Sequence, residues 1–377
     1  MASGSPVNPD MLLLARELRG ITQTKLAELS GVPRPTLSKY EAGVVTVQEQ
    51  HVPVFAEVLQ LPESFFKQNE IRIGAGRGHV YPRKRQSLTA QTWDQIVAAM
   101  NVHRIHVTKL VRDLDFEPIL PLPRFDIEDY SGGAVEVAQL VRAAWQTARG
   151  PIRDLTGLVE RTGCVVLIRS FKTQSLDGVN MNADGAIRCL LYLNSDFGAD
   201  RLRFTLAHEL GHMVMHTLHS PNAEKEADAF AGELLMPAED VRVDLLRPLS
   251  VEYLMRLKEV WKVSAAALAR RAHDLEIIDK DKYTSLFKRL SMLGMRKGEP
   301  TYFERERPEL LQRLFEAHIN ELQYNAEDLA AILHLREEEL LSMYEDELAG
   351  LLPSKKFKLT LSKLSVIAPV ADKEDTE

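Results

Sequence analysis

The sequence predicts a mainly α-helical chain built around one central α+β unit. Apolar residues recur at three- and four-residue intervals along most of its length. Apolar and β-branched runs of strand length are confined to about residues 164–193. At 377 residues the chain is long enough for two or three domains of about 100–200 residues each. A content of 45% hydrophobic and 27% charged residues supports sizeable cores and excludes a disordered protein. Lys and Arg number 47 against 54 Asp and Glu, a net charge of −7, so any DNA contact must come from a local motif rather than from global charge. Two cysteines, Cys164 and Cys189, exclude a disulfide scaffold and a Cys-rich zinc module, and they read as small core residues of a reducing compartment. The start lacks a signal-peptide pattern, and no run approaches the roughly 18 apolar residues of a membrane span. A cytoplasmic location with no membrane partner is expected.

Residues 1–70 read as short helices broken by Gly and Pro. Leu12–Gly20 is helical, Thr22 caps a helix over Gln23–Ser30, Gly31 makes a sharp turn, and Pro35–Tyr40 forms a third helix. Two helices joined by a tight Gly-containing turn make a helix-turn-helix, whose second helix suits the major groove. The stretch from Leu18 to Val32, followed by Thr36-Leu-Ser-Lys-Tyr-Glu-Ala-Gly43, resembles the lambda repressor/Cro-like (XRE) DNA-binding family over about 55 residues. The resemblance implies a five-helix domain that binds operator DNA, with Gln23 touching a phosphate and Arg34, Thr36 and Lys39 facing the groove. Many helix-turn-helix proteins bind as dimers, so a homodimer is also an expectation. Pro33 and Pro35 bracket Arg34 where the family more often has small polar residues. Residues 10–50 carry five basic and five acidic side chains, which limits the electrostatic contribution to affinity.

Residues 71–92 form a basic, Gly- and Pro-containing linker with five cations and no acid from Ile71 to Trp93. It reads either as solvated chain or as a phosphate-contacting arm. Residues 93–150 form a helical connector, periodic over 93–116 and 134–148 and interrupted by the Pro-rich stretch Glu117–Arg124. The α+β unit occupies 151–240. It comprises a helix over Ile152–Arg161, strands over Cys164–Ile168, Asp177–Asn182 and Ala186–Leu193, and two helices, about 200–217 and 223–235. Asp184-Gly185 predicts a two-residue hairpin turn. Residues 241–368 are helical. Within them Ser264 caps a helix bearing Arg270 and Arg271, which reads as an interaction helix or a second helix-turn-helix. Asn325–Tyr344 reads as a protein-binding helix pair, because Glu337, Glu338 and Glu339 oppose DNA phosphates. Residues 369–377 are expected to be a disordered polar tail.

The strongest chemical signal is His208-Glu209-Leu210-Gly211-His212. Positions i and i+4 of a helix project side by side, so two imidazoles can hold one zinc ion, and Glu209 is placed to act as general base. A catalytic zinc needs a third protein ligand and an open position. His216 lies almost in line with the first pair and cannot reach a metal gripped by both. The metzincin pattern is absent, since positions 215 and 218 hold Met215 and Leu218. On the next helix Glu224, Glu226, Asp228 and Glu233 all remain open as the third ligand.

Phe204-Thr-Leu-Ala-His-Glu-Leu-Gly-His-Met-Val-Met-His216, followed by Glu226-Ala-Asp-Ala-Phe-Ala-Gly-Glu-Leu-Leu-Met-Pro237, resembles the ImmA/IrrE family of zinc metallopeptidases over about residues 150–240. The resemblance implies Zn2+ as cofactor, His208, His212 and Glu226 as ligands and Glu209 as base. Asp228 and His216 then orient the imidazoles from behind. It also implies a repressor or antitoxin-like protein as substrate. The strand Ala186–Leu193 could offer an edge for that substrate; the residues do not identify an oxyanion donor, Tyr192 and His219 being guesses. The second reading of the same residues is a regulator whose zinc-binding domain senses or scaffolds without proteolysis.

Overall fold

The computed structural model describes residues 7–74, 88–183, 185–216, 221–295, 298–300 and 303–352. Among them are eighteen α-helices and one three-stranded sheet. The expected basic residues Arg77, Arg83, Lys84 and Arg85, the turn residue Asp184, His219 and the tail 369–377 lie outside the described residues.

Helices α1 (Pro9–Leu18), α2 (Gln23–Ser30), α3 (Arg34–Glu41), α4 (Val52–Val58) and α5 (Glu63–Phe66) form the N-terminal bundle. The side chains of Asn8 and Thr22 accept the first free N–H groups of α1 and α2. Gly31 ends α2 at φ 69°, a left-handed conformation that costs a Cβ-bearing residue more, and the chain turns there into α3. Leu14, Leu26, Leu37, Tyr40 and Phe55 close the core. Arg16 donates to both oxygens of Glu41 at 2.6 and 3.0 Å, pinning α1 to the end of α3.

The long helix α6 (Ala90–Arg112) packs along α1 and carries the bundle on to the rest of the molecule. After it come α7 (Gly133–Ala144) and α8 (Leu155–Glu160), then β1 (Cys164–Arg169), β2 (Gly178–Asn182) and β3 (Cys189–Asn194). The sheet order is β1-β3-β2, with β3 parallel to β1 and antiparallel to β2. The expected antiparallel pair exists, but its connection is six residues, 183–188, rather than two. Arg188 donates its N–H to Gly163 O at 2.8 Å and its carbonyl accepts from Ala183 N at 3.1 Å, so β3 stays paired on both sides one residue before its start.

Cys164 and Cys189 face each other in register on β1 and β3, with Cα atoms 4.7 Å apart, and are joined as a disulfide. This corrects the expectation of two separate small core residues. Parallel neighbouring strands placed the two side chains on the same face, which spacing along the sequence could not reveal.

Helices α9 (Ala199–Met215) and α10 (Ala223–Leu235) pack closely against each other below the sheet, and α7 covers α10 from the other side. They are followed by α11 (Ala238–Leu245), α12 (Val251–Trp261), α13 (Ala265–Asp274) and α14 (Lys280–Met292). Arg271 of α13 is buried against Glu233, whereas Arg270 is exposed and pairs at 2.8 Å with Asp274 of the same helix. The remaining helices are α15 (Leu310–Asn320), α16 (Ala326–Leu333), α17 (Glu337–Met343) and α18 (Glu345–Leu348). The capping box at Asn325 and Asp328 starts α16. The partner of this acidic helix pair is the N-terminal bundle of the same chain: Glu339 meets Arg19 at 2.7 Å, and Arg336 donates to Ala56 O at 2.9 Å. No helix among the described residues is long and apolar enough to cross a membrane.

Candidate metal centre

Helix α9 buries Leu202, Leu206, Leu210 and Val214 and turns His208 and His212 towards α10. Gly211 makes the approach possible. A Cβ at that position would stand 3.0 Å from the Phe230 ring and 3.4 Å from the Ala227 backbone, tighter than ordinary packing allows.

The two Nε2 atoms of His208 and His212 lie 3.2 Å apart. Zinc–nitrogen bonds of about 2.0–2.1 Å at a tetrahedral angle separate two nitrogens by roughly 3.3 Å, so the donor pair fits the ion. Glu224 Oε1 is 4.0 Å from His212 Nε2, and ligand atoms of His208, His212 and Glu224 all lie within 4.8 Å of one another.

Glu226, the carboxylate expected to close the site, has its Oε2 2.9 Å from His216 Nε2, while His216 Nδ1 stands 2.9 Å from His212 Nδ1. The placement of the two carboxylates has a helical cause. Asp228 Oδ1 lies 2.8 Å from His208 Nδ1, which fixes the face of α10 turned towards α9. Glu224 precedes Asp228 by four residues and shares that face, whereas Glu226 is about 200° round the helix from Asp228. Asp228 and His216 thus lie against the Nδ1 sides of His208 and His212.

One set of tautomers satisfies these contacts around a bound cation. A proton on His208 Nδ1 is shared with Asp228. A proton on His212 Nδ1 directed at His216 Nδ1 leaves His216 Nε2–H to donate to Glu226. In that arrangement both Nε2 atoms face the same point, where one cation would sit.

Glu209 is fully buried beside the pair, and its Oε2 accepts a hydrogen bond from Asn180 Nδ2 at 2.6 Å. Asn180 sits on β2, and the sequence reading missed it; a polar residue in the strand Gly178–Asn182 was the only trace. Tyr192 is no oxyanion donor. Its hydroxyl is buried 2.6 Å from His103 Nδ1, and burial pushes its pKa far above the ordinary value. Strand β3 is paired on both sides, so the edge expected over Ala186–Leu193 is not open, and β2 is the sheet edge that carries Asn180.

In the N-terminal bundle, Arg34 and Lys39 are exposed on α3, the second helix of the motif, and Thr36 is half-buried. Gln23 is half-buried, and its amide donates to Glu41 Oε2 at 2.8 Å, so the residue expected at a phosphate is tied instead to the Arg16–Glu41 pair.

The family model described as the IrrE N-terminal-like domain of the M78 peptidases matches residues 159–273, and a helix-turn-helix model matches residues 12–66. No curated protein matches the chain. The chain therefore joins an XRE-type helix-turn-helix domain to an IrrE-like peptidase-family domain, the pairing of a DNA-binding module with a protease-like one that marks a regulator.

Proposed function

We propose that this regulator is a zinc-dependent endopeptidase coupled to a DNA-binding domain, acting in the cytoplasm on a repressor or antitoxin-like protein. The observation that carries the reading is the donor set: two imidazole nitrogens 3.2 Å apart, a carboxylate within reach, and a fully buried glutamate alongside. His208, His212 and Glu224 would hold the metal. Bound zinc supplies Lewis acidity, polarising a peptide carbonyl and acidifying water.

The protein's own groups do the rest. Asp228, and Glu226 through His216, hold the imidazoles in the tautomers that present Nε2. Glu209 takes a proton from water at its carboxylate and returns it to the leaving amine. Asn180 holds the carboxylate in place during both transfers, by donating to Oε2. The β2 edge offers main-chain groups to an extended substrate, which would add as a further strand beside the base. The exposed α3 side chains Arg34 and Lys39 suit operator contacts, Arg being a usual reader of guanine.

The test is Glu209→Gln in the full chain, assayed on candidate repressor proteins. The variant is expected to keep its zinc and lose cleavage by at least about 100-fold, the scale of general-base catalysis. Cleavage at the wild-type rate removes the peptidase reading and leaves a zinc-binding scaffold.

A further inference from the structure

The large cavity near the junction of the connector and the C-terminal helices has no residue of the metal centre in its lining. It measures about 1040 Å³, the size of a site for a drug-sized molecule. It forms where the extended strip Leu114–Ile119, the loop between α7 and α8, and one face of α15 converge. Its apolar surface comes from Trp145, Leu158, Leu314 and Ala317.

The lining is polarised. Thr156 donates both its N–H and its hydroxyl to Glu306 at 2.9 Å. Glu160 accepts the N–H groups of Glu309 and Leu310 at 2.8 and 3.1 Å. These bonds bind the start and end of α8 to the start of α15. They bring Arg153, three residues before Thr156, and Arg307, next to Glu306, to the same end of the cavity.

Of the lining acids Asp115, Glu117, Asp154, Glu160, Glu309 and Glu321, Asp154 caps α8 through Gly157 N at 3.0 Å and Glu309 pairs with Arg313 at 2.6 Å. Lys262, outside the lining, holds the Arg153 backbone in place, its Nζ donating to Arg153 O at 2.7 Å. Glu321, a lining acid at the far end of α15, is about 16 Å away along the helix axis.

We propose that this cavity binds an amphipathic organic anion, its carboxylate, phosphate or sulfonate held by Arg153 and Arg307 and its apolar body lying along Trp145, Leu158, Leu314 and Ala317. The site bears on the metal helix as well. Arg203 of α9, five residues before His208, reaches both Glu306 and Ile152 O, so the basic end of the cavity and α9 share one buried anchor. Occupancy does not depend on peptidase activity, and the test separates the two.

The probe is 8-anilinonaphthalene-1-sulfonate, titrated against the full chain, with tryptophan-to-probe energy transfer as the readout. One saturable site is expected, with transfer reduced in Trp145→Phe. The double variant Arg153→Ala/Arg307→Ala should weaken the sulfonate at least tenfold while leaving uncharged N-phenyl-1-naphthylamine unchanged. Ala317→Trp, which sets an indole against the apolar wall, should weaken both at least tenfold. Equal affinity of the two probes for the wild type, or an unchanged affinity in the arginine double variant, overturns the proposal. Should Ala317→Trp fail to fold, judged by circular dichroism, the decision rests on the arginine pair, whose side chains are exposed and whose removal spares the core.

Discussion

The choice between Glu224 and Glu226 can be settled by zinc affinity. Glu224 Oε1 is 4.0 Å from His212 Nε2, and a side-chain movement of under about 1 Å brings it to the roughly 3.3 Å that two ligands of one tetrahedral zinc require. Zinc bound by four groups contributes about 10–16 kcal/mol, or about 3 kcal/mol for each. At 1.4 kcal/mol per factor of ten, Glu224→Ala is expected to weaken zinc on the order of 100-fold or more. Glu226→Gln removes a charge that reaches His212 only through His216, yet keeps an oxygen able to accept from His216 Nε2. Groups behind a ligand cost about 10–100-fold when lost, and this conservative exchange belongs at the low end, about tenfold. The assay is competition for zinc against a chromophoric chelator, with metal content per chain measured alongside. A Glu224→Ala protein that holds zinc like the wild type, beside a Glu226→Gln protein that releases it, would refute the assignment.

Three further outcomes are expected. Asn180→Ala should lower kcat about tenfold or more with zinc retained, and should move the acidic limb of the kcat/KM profile to higher pH, because the carboxylate loses a donor that favours its charged form; an unmoved profile would deny Asn180 its positioning role. Arg34→Ala should weaken operator binding by about 1–3 kcal/mol at fixed salt in a fluorescence-anisotropy titration, and unchanged affinity would count against insertion of α3 into the groove. Burial raises the Glu160 carboxyl pKa to about 7 against an ordinary 4.5, so the folded state holds a proton that the unfolded chain has released. That stability is present below about pH 4.5 and lost as pH rises through about 7, up to roughly 3 kcal/mol. Urea unfolding at pH 5 and pH 8 should therefore show a fall that Glu160→Gln abolishes, and an equal fall in both proteins would contradict it.

What the sequence made legible was whatever depends on local spacing. Thr22, Gly31 and the apolar positions of α2 and α3 specify a helix-turn-helix through caps and periodicity, and His208 and His212 lie one helical turn apart whatever surrounds them. What stayed hidden depends on how separate elements meet. The third carboxylate was ambiguous because the phase of α10 against α9 is set by packing at Gly211 and Phe230. The i, i+4 relation of Glu224 to Asp228 was visible in the sequence, but only the contact of Asp228 with His208 makes it informative. The Cys164–Cys189 pairing and the neighbour of Glu209 were hidden for the same reason: both need the strand order β1-β3-β2, in which the parallel neighbours are not consecutive.

Helix α6 and the C-terminal helices join the DNA-binding end to the peptidase-like core, and the forces at that joint are unequal. The ion pairs Arg19–Glu339 and Arg169–Glu347 leave their side chains partly exposed, so each contributes at most about 1 kcal/mol after solvent screening. The apolar contacts are of another order: Phe315, Leu333, Leu340 and Tyr344 are buried, and side chains of this kind contribute about 1.5–3 kcal/mol each. Within this apolar setting His103 and His106 of α6 meet Tyr192 of β3 and Tyr344 through bonds of 2.6 Å. Burial holds the His103 pKa down to about 3, so the imidazole stays neutral in the fold and its contribution is lost as pH falls below the ordinary value near 6.5. The joint is thus held by packing, and its two tyrosine–histidine bonds place one helix against both the central strand and the C-terminal helices. Strand β3 and Tyr344, between α17 and α18, therefore both bear on α6, the helix against which α1 of the N-terminal bundle packs.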